Sequence, residues 1–123
     1  MQSVTRLLVV EDELIFAMNL KKELQMKGYR VDDIINRGEA AVPLIKNGQF
    51  DCILMDIRLG GALNGVETAQ EIRKFSSIPI LFITGYMNDS NTDQVKTITH
   101  SRLVNKPVPP EEVILAIREL LEV

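Results

Sequence analysis

Cysteine and histidine are nearly absent from the sequence, which contains one of each, Cys52 and His100. A lone cysteine cannot close an internal disulfide, and a lone histidine cannot form a histidine cluster. A disulfide framework and a zinc site built from cysteine and histidine are therefore excluded. We expect Cys52 to be a small buried apolar side chain. His100 lies in a polar stretch, and we expect it at the surface.

Long apolar runs are also missing. No stretch approaches the roughly 20 residues that a membrane-spanning helix needs. The first apolar run, residues 7–10, follows a segment with a single basic residue and is cut off by three acids, which is not the pattern of a signal peptide. These absences predict a protein that does not act in a membrane and that resides in the cytoplasm.

A strong excess of charge of one sign is lacking as well. Acidic residues outnumber basic residues by 17 to 14, which gives a formal net charge of −3. This small acidic excess gives no support for a nucleic-acid-binding surface or a polybasic membrane-binding patch. The 123 residues, 46% hydrophobic and 25% charged, are instead typical of a single globular domain spanning residues 1–123.

Short apolar runs alternate along the chain with stretches of helical character. Buried strands are predicted at residues 6–10, 29–35, 52–55, 80–83 and 102–104. Helices are predicted at residues 14–27, 39–46, 65–75, 89–99 and 111–121, and Pro43 inside the second of them is expected to kink or delay it. The alternation predicts an α/β fold, a doubly wound (βα)5 domain with a parallel sheet between two layers of helices.

Polar side chains follow the predicted strands at the points where the strands end. Because ligands of open parallel sheets bind outside the carboxyl ends of the strands, we expect these side chains to meet at one rim. They are Glu11, Asp12, Asp56, Thr84 and Lys106. Three carboxylates at one rim repel each other, by about 4 kcal/mol for each pair at ~4 Å in an effective dielectric of about 20.

Lys106 or a hard divalent cation must offset this repulsion. Mg²⁺ suits a site with two or three carboxylates, because it keeps several waters and leaves a place for a phosphate oxygen. An aspartate carboxylate can act as a nucleophile toward phosphorus. The rim therefore predicts phosphoryl transfer, in which the metal and Lys106 neutralise charge and the Thr84 hydroxyl donates to a third oxygen.

Four segments of the chain resemble the CheY-like receiver domain of two-component response regulators. They are LLVVEDE (residues 7–13), ILMDIRLGG (53–61), ILFITGY (80–86) and VNKPVPPEEV (104–113). Each segment alone is a weak signal, but an acid pair, an aspartate, a threonine and a Lys-Pro pair at successive strand ends are together highly specific. The resemblance spans essentially the whole chain and implies the strand order 2-1-3-4-5.

The resemblance also implies a role for each matching position. Asp56 is the implied phosphoacceptor, Thr84 the switch hydroxyl and Lys106 the partner of the phosphoryl group. The implied Mg²⁺ site consists of Glu11 through a metal-bound water, Asp12, Asp56 and the backbone carbonyl of Arg58. Receivers often hold the bond before the proline that follows this lysine in the cis form, so we expect Lys106–Pro107 to be cis.

Such a domain takes its phosphoryl group from a sensor histidine kinase or a phosphotransfer protein and catalyses only its own phosphorylation and dephosphorylation. The chain fits a stand-alone regulator, and it fits equally a receiver cut from a hybrid kinase or from a regulator with an output domain. Two other classes are disfavoured. A haloacid-dehalogenase-type phosphatase would need a D-x-D arrangement after the first strand, and a flavodoxin-like flavin binder would need a Ser/Thr/Gly-rich phosphate loop there. The chain has three acids at that point.

Two features depart from the receiver pattern. The loop after Asp56 runs nine residues to Gly65, one longer than the commonest form, and Gly60 stands where many receivers have proline. We therefore expect a more mobile loop on the metal side of the site. Leu103 occupies a position that usually holds an aromatic switch residue, and Tyr86 is the aromatic expected to replace it.

The first predicted helix carries two apolar faces. One face, expected to pack on the sheet, consists of Phe16, Ala17, Leu20 and Leu24. Leu14, Ile15 and Met18 fall on a different arc beside the acid pair, and we expect them to be partly exposed. In receivers the kinase docks at this end of the helix, so the resemblance implies a docking patch. Leu115, opposite the apolar stripe of the last helix, is a candidate for a homodimer or output contact.

Overall fold

The structure, a computed structural model, describes residues 4–85 and 89–122. Within them, parallel strands alternate with helices. The strands are β1 (Arg6–Val10), β2 (Arg30–Ile35), β3 (Cys52–Met55), β4 (Ile80–Thr84) and β5 (Ser101–Asn105). The helices are α1 (Leu14–Met26), α2 (Gly38–Asn47), α3 (Gly65–Arg73), α4 (Asp89–Lys96) and α5 (Pro110–Leu121). The sheet order is β2-β1-β3-β4-β5 with every pairing parallel, so the doubly wound fold and its strand order are confirmed.

Helices cover both faces of the sheet and divide the core into two layers. On one face α1 and α5 pack against alternate strand residues such as Leu7, Leu54 and Leu81. On the other face α2, α3 and α4 pack against the intervening residues, such as Ile53 and Phe82. Because β3 and β4 are buried along their whole length, their sequences are continuous apolar runs without a polar alternation.

Pro43 lies inside α2 and does not end it, since the helix continues to Asn47. The helices are all short, and none among the described residues is long and apolar enough to cross a membrane.

The structure shows the surroundings of two single residues, Cys52 and His100. Cys52 is fully buried, as predicted, and burial raises the pKa of its thiol to about 12. His100 lies at the surface but is only partly exposed, and both of its ring nitrogens have partners. Its Nδ1 lies 3.1 Å from the carbonyl oxygen of Ser77 and its Nε2 lies 3.0 Å from that of Leu120. The ring therefore joins the segment before β4 to the end of α5.

Candidate functional site

Backbone hydrogen bonds continue the sheet one residue beyond the strands and fix the polar residues of the rim. These bonds run from the Glu11 N–H to the Ile35 carbonyl (2.8 Å), from the Asp56 N–H to the Val10 carbonyl (3.0 Å) and from the Lys106 N–H to the Thr84 carbonyl (2.8 Å). The backbones of Glu11, Asp56 and Lys106 are therefore positioned by the sheet itself.

Three carboxylates meet at this rim. One oxygen from each of Glu11, Asp12 and Asp56 lies within 4.8 Å of the others. Glu11 is only 4% exposed and Asp56 6%, whereas Asp12 is open to solvent. A donor set made of carboxylate oxygens suits a hard divalent cation, which accepts oxygen ligands and several waters. The cluster that the sequence predicted is thus present, and it can hold a metal ion.

Lys106 provides the positive charge inside the cluster. Its Nζ donates to Glu11 Oε1, to Glu13 Oε2 at 3.0 Å and to Asp56 Oδ2 at 3.3 Å. The same ammonium lies 4.3 Å from the centre of the Phe16 ring, in cation–π geometry. Burial lowers the pKa of Lys106, but the hydrogen bonds to Glu11 and Glu13 outweigh it and raise that pKa above its ordinary value. Lys106 therefore stays charged at neutral pH.

The surroundings of Glu11, in contrast, favour its neutral form. Its burial, followed by the hydrogen bond and the charge of Asp56, raises its pKa to about 7, although Lys106 and the Glu13 N–H pull it down. Part of the repulsion between the carboxylates is therefore relieved by a proton at neutral pH. A metal ion binds the ionised form and competes with that proton.

A cavity of about 600 Å³ opens beside these groups. It is lined by Asp12, Glu13, Asp56, Arg58, Leu59, Gly60, Thr84, Gly85 and Lys106. Thr84 is fully buried at the end of β4, and Gly85 after it adds no side chain to the wall. The Lys106–Pro107 peptide bond is cis, as predicted. The cavity thus brings a buried carboxylate, a hydroxyl and an ammonium to one space.

Hydrogen bonds hold the loop between β3 and α3 at several points. Near its start, the Arg58 N–H donates to Asp56 Oδ1 at 3.2 Å. At its end, Asn64 and Glu67 exchange hydrogen bonds in a capping box that begins α3. In between, the carboxylate of Glu39 accepts hydrogen bonds from two loop N–H groups.

Glu13, Phe16 and Glu39 were not among the predicted site residues. Glu13 is the third acid of the run after β1, and this run was the one signal that could have indicated it. Phe16 was assigned only to the core face of α1, whereas its ring also contacts Lys106. Glu39 lies too far along the chain from the loop for any sequence pattern to connect them.

The apolar patch on α1 is exposed as predicted. Ile15 is 79% exposed, Leu14 61% and Met18 56%. The core face of the same helix is buried at Ala17, Leu20 and Leu24, with Phe16 partly covered. On α5, Leu115 is also exposed, at 56%. Leu103 is half-buried against the core, and Tyr86 lies outside the described residues.

Comparisons with known proteins agree with this geometry. A family model described as "Response regulator receiver domain" matches residues 7–118. The transcriptional regulatory proteins YvrH and ResD of Bacillus subtilis (strain 168) are each 30% identical to the chain, over 94% and 95% of it and over 48% of their own length. The chain thus spans about half the length of the curated relatives it matches.

Solved structures show the same relationship. A CheY-like response regulator receiver domain protein from Methanospirillum hungatei JF-1 has a TM-score of 0.89 at 26% identity, covering 98% of this chain and 95% of that one. The signal receiver domain of a modulated diguanylate cyclase from Desulfovibrio desulfuricans G20 has a TM-score of 0.89 at 30% identity, with the same two coverages. Together with the rim of acids and Lys106, these matches show that the chain belongs to the family of response regulator receiver domains.

Proposed function

We propose that residues 1–123 form one receiver domain that accepts a phosphoryl group on Asp56 from a phosphohistidine of a sensor kinase or a phosphotransfer protein. The observation that carries this proposal is the setting of Asp56. Its carboxylate is buried at the edge of the cavity, with the Lys106 ammonium 3.3 Å from Oδ2 and with oxygens of Glu11 and Asp12 close by. Phosphoryl transfer asks a protein mainly for positioning and neutralisation of charge, and this arrangement supplies both.

In the proposed step an oxygen of Asp56 bonds to phosphorus while the bond from phosphorus to the imidazole nitrogen of the donor breaks. The electron pair of that bond stays with the nitrogen. Lys106 neutralises one phosphoryl oxygen, and the Thr84 hydroxyl donates to another. Mg²⁺, held by Asp12, Asp56 and the Arg58 carbonyl, with Glu11 through a water, would supply the remaining positive charge. In the self-dephosphorylation that we propose, water attacks the phosphorus, the bond between phosphorus and the Asp56 oxygen breaks, and inorganic phosphate leaves with the free carboxylate restored.

Intact-mass measurement with acetyl phosphate tests this function directly. We expect one added phosphoryl group per chain when Mg²⁺ is present and none when the metal is removed with a chelator, because three acids near one phosphoryl group need more cation than Lys106 alone. Beryllofluoride should likewise bind once per chain and only with Mg²⁺. Labelling that is equal with and without Mg²⁺, or turnover of a phosphate ester without a stable adduct, would contradict the proposal.

We also propose that Leu14, Ile15 and Met18 form the surface on which the phosphohistidine donor docks. This apolar patch of three residues is exposed, and it lies directly after the acids of the rim. Soluble helices rarely expose several large apolar side chains together without a partner. A donor seated there would bring its histidine to the cavity that contains Asp56.

Ile15→Ser is expected to slow phosphoryl transfer from the cognate kinase by roughly 10- to 100-fold, since one buried apolar side chain contributes about 1.5–3 kcal/mol. Labelling by acetyl phosphate, which needs no docking, should be unchanged. The thermal stability should also stay within about 2 °C, because Ile15 is 79% exposed. Met26→Ser removes an apolar side chain of similar exposure, 71%, from the far end of α1 and is the matched control. If Ile15→Ser slows both donors and lowers the stability, the patch is part of the core and not a docking surface.

We also propose a cellular location and contact partners for the domain. We place the domain in the cytoplasm and assign it no nucleic-acid or membrane contact of its own, in line with its acidic balance. Its output is a change of protein contacts, within a longer regulator or as a separate chain. The exposed Leu115 on α5 supports a homodimer through that helix.

A further inference from the structure

Glu39 connects α2 to the loop that follows the phosphoacceptor strand. It is the second residue of α2, and its Oε1 accepts from the Ala62 N–H and its Oε2 from the Leu63 N–H, both at 3.3 Å. Just before α2, Arg37 forms an isolated parallel bridge with Gly60. The middle of the β3–α3 loop is therefore tied to a neighbouring part of the fold and not to its own flanking elements.

The contact between Glu39 and the β3–α3 loop is close and involves an ionised carboxylate. Gly61 has a φ of +93°, which favours glycine, and a Cβ at that position would lie 2.3 Å from Glu39 Oε1, so a larger residue would push the carboxylate away from the loop. Hydrogen bonds from the backbone N–H groups of Glu39 itself, of Ala62 and of Leu63 lower the pKa of Glu39. Glu39 is therefore charged at neutral pH, and its two loop bonds are charge-assisted.

Leu59 of the loop packs against the core, and hydrogen bonds hold the two ends of the loop. The Gly65 N–H donates to the Ile57 carbonyl at 2.7 Å, and the capping box of Asn64 and Glu67 fixes the start of α3. Between these points, the glycine pair at 60 and 61 has no side chains that could pack against the core. Glu39 thus supplies side-chain contacts to the part of the loop that lacks them.

We infer that Glu39 is a positioning residue for the metal side of the phosphorylation site, acting through the β3–α3 loop. The loop carries Arg58, whose backbone carbonyl is the proposed metal ligand, so fixing residues 60–63 fixes the direction of that carbonyl. This inference rests on the proposed function, because it assigns Glu39 to the same Mg²⁺ site. Residues that orient the ligands of a metal without contacting the metal commonly matter for binding. Their removal lowers the metal affinity by about 10–100-fold.

Two variants of Glu39 separate positioning from simple charge. Glu39→Asp keeps the negative charge but shortens the side chain by one methylene, so that it no longer reaches Ala62 and Leu63. Glu39→Gln keeps the length but replaces one accepting oxygen by a donating amide. Glu71→Gln removes an exposed acid of α3 that pairs with Lys74, and it serves as the control for lost charge.

The measurements are Mg²⁺ affinity by calorimetry, amide hydrogen exchange at Ala62 and Leu63, and the melting temperature without metal. We expect both Glu39 variants to bind Mg²⁺ about tenfold more weakly, with faster exchange of the two amides. The metal-free melting temperature should change by less than about 3 °C, because Glu39 is partly exposed and neither variant opens a cavity in the core. Glu71→Gln should match the wild type in all three measurements.

The other possible outcomes contradict either the positioning role of Glu39 or the proposed function. If Glu39→Asp binds Mg²⁺ like the wild type while Glu39→Gln does not, Glu39 acts by its charge and not by position. If both variants bind Mg²⁺ like the wild type, or if amide exchange is unchanged, the inference is wrong and the proposed function stands. Wild-type protein that binds no Mg²⁺ overturns the proposed function itself.

Discussion

Asp56→Asn is expected to abolish labelling by acetyl phosphate and at the same time to raise the melting temperature of the metal-free protein by roughly 5–10 °C, equivalent to about 2 kcal/mol. Labelling is lost because the amide is not a nucleophile toward phosphorus. Stability rises because one of three clustered carboxylates loses its charge. The asparagine amide has the same shape and can donate a hydrogen bond to Glu11, and Lys106 keeps its bonds to Glu11 and Glu13.

The stabilisation by Asp56→Asn should depend on pH in a defined direction. The pKa of Glu11 is about 7 in the folded protein against an ordinary 4.5, so the folded state binds more protons between these values. The stability of the metal-free wild type therefore falls as the pH rises from about 4.5 to about 7. In the Asn variant only burial still raises the pKa of Glu11, so its stability should fall less. The difference between the two proteins should be largest above pH 7.

Asp33→Asn is the matched control for this variant, since Asp33 is exposed on the edge strand β2. It should leave both the labelling and the pH dependence unchanged. A metal-free Asp56→Asn protein that is less stable than the wild type at pH 8 would show that the repulsion in the cluster is not the dominant charge effect.

Gly65→Ala should destabilise the protein by about 3 kcal/mol or more and lower its melting temperature by on the order of 10 °C. A Cβ at Gly65 would lie 2.1 Å from the Asp56 carbonyl oxygen and 2.8 Å from the Ile57 Cα. Both neighbours are backbone atoms, so no side-chain rotation relieves the clash, and α3 must move away from the end of β3. Because Asp56 moves with its backbone, the rate of labelling should fall as well.

Gly60→Ala provides the comparison within the same loop. A Cβ at Gly60 would have no atom within 4 Å, and the backbone there is outside the left-handed region. Its melting temperature should stay within about 2 °C of the wild type, as is usual for a substitution in open space. Calorimetry or circular dichroism gives the melting temperatures of Gly65→Ala and Gly60→Ala for this comparison. If they melt at the same temperature, the close approach of α3 to β3 is not as described.

The elements that the sequence predicted best are those whose burial is most complete. The unbroken apolar runs of β1, β3 and β4 arise because helices cover both faces, and they identified these strands correctly. The rim acids and Lys106 could be placed together because parallel strands end at one edge of a sheet. Helix ends were less predictable. The helix predicted at residues 89–99 ends at Lys96, since its Thr- and Asn-rich sequence marks no clear end.

Contacts between distant side chains and backbone could not be predicted. The bonds from Glu39 to the loop depend on how α2 packs beside α3, and the sequence has no local signal for that packing. The polar neighbours of His100 indicate a surface position. They do not indicate that its two ring nitrogens contact carbonyl groups of two other segments. Glu13 contacts Lys106 because of the direction in which the chain enters α1, which the spacing of acids does not determine.

Asp56 is proposed to be the one residue that carries the phosphoryl group. The most direct measurement treats the protein with acetyl phosphate and Mg²⁺, reduces the acyl phosphate with borohydride, which converts a phosphorylated aspartate to homoserine, and maps the product by peptide mass. We predict conversion at Asp56 and at no other acid, and no conversion without Mg²⁺. Conversion at Asp12 or another acid in the wild type, or continued labelling at one site in Asp56→Asn, would contradict the account.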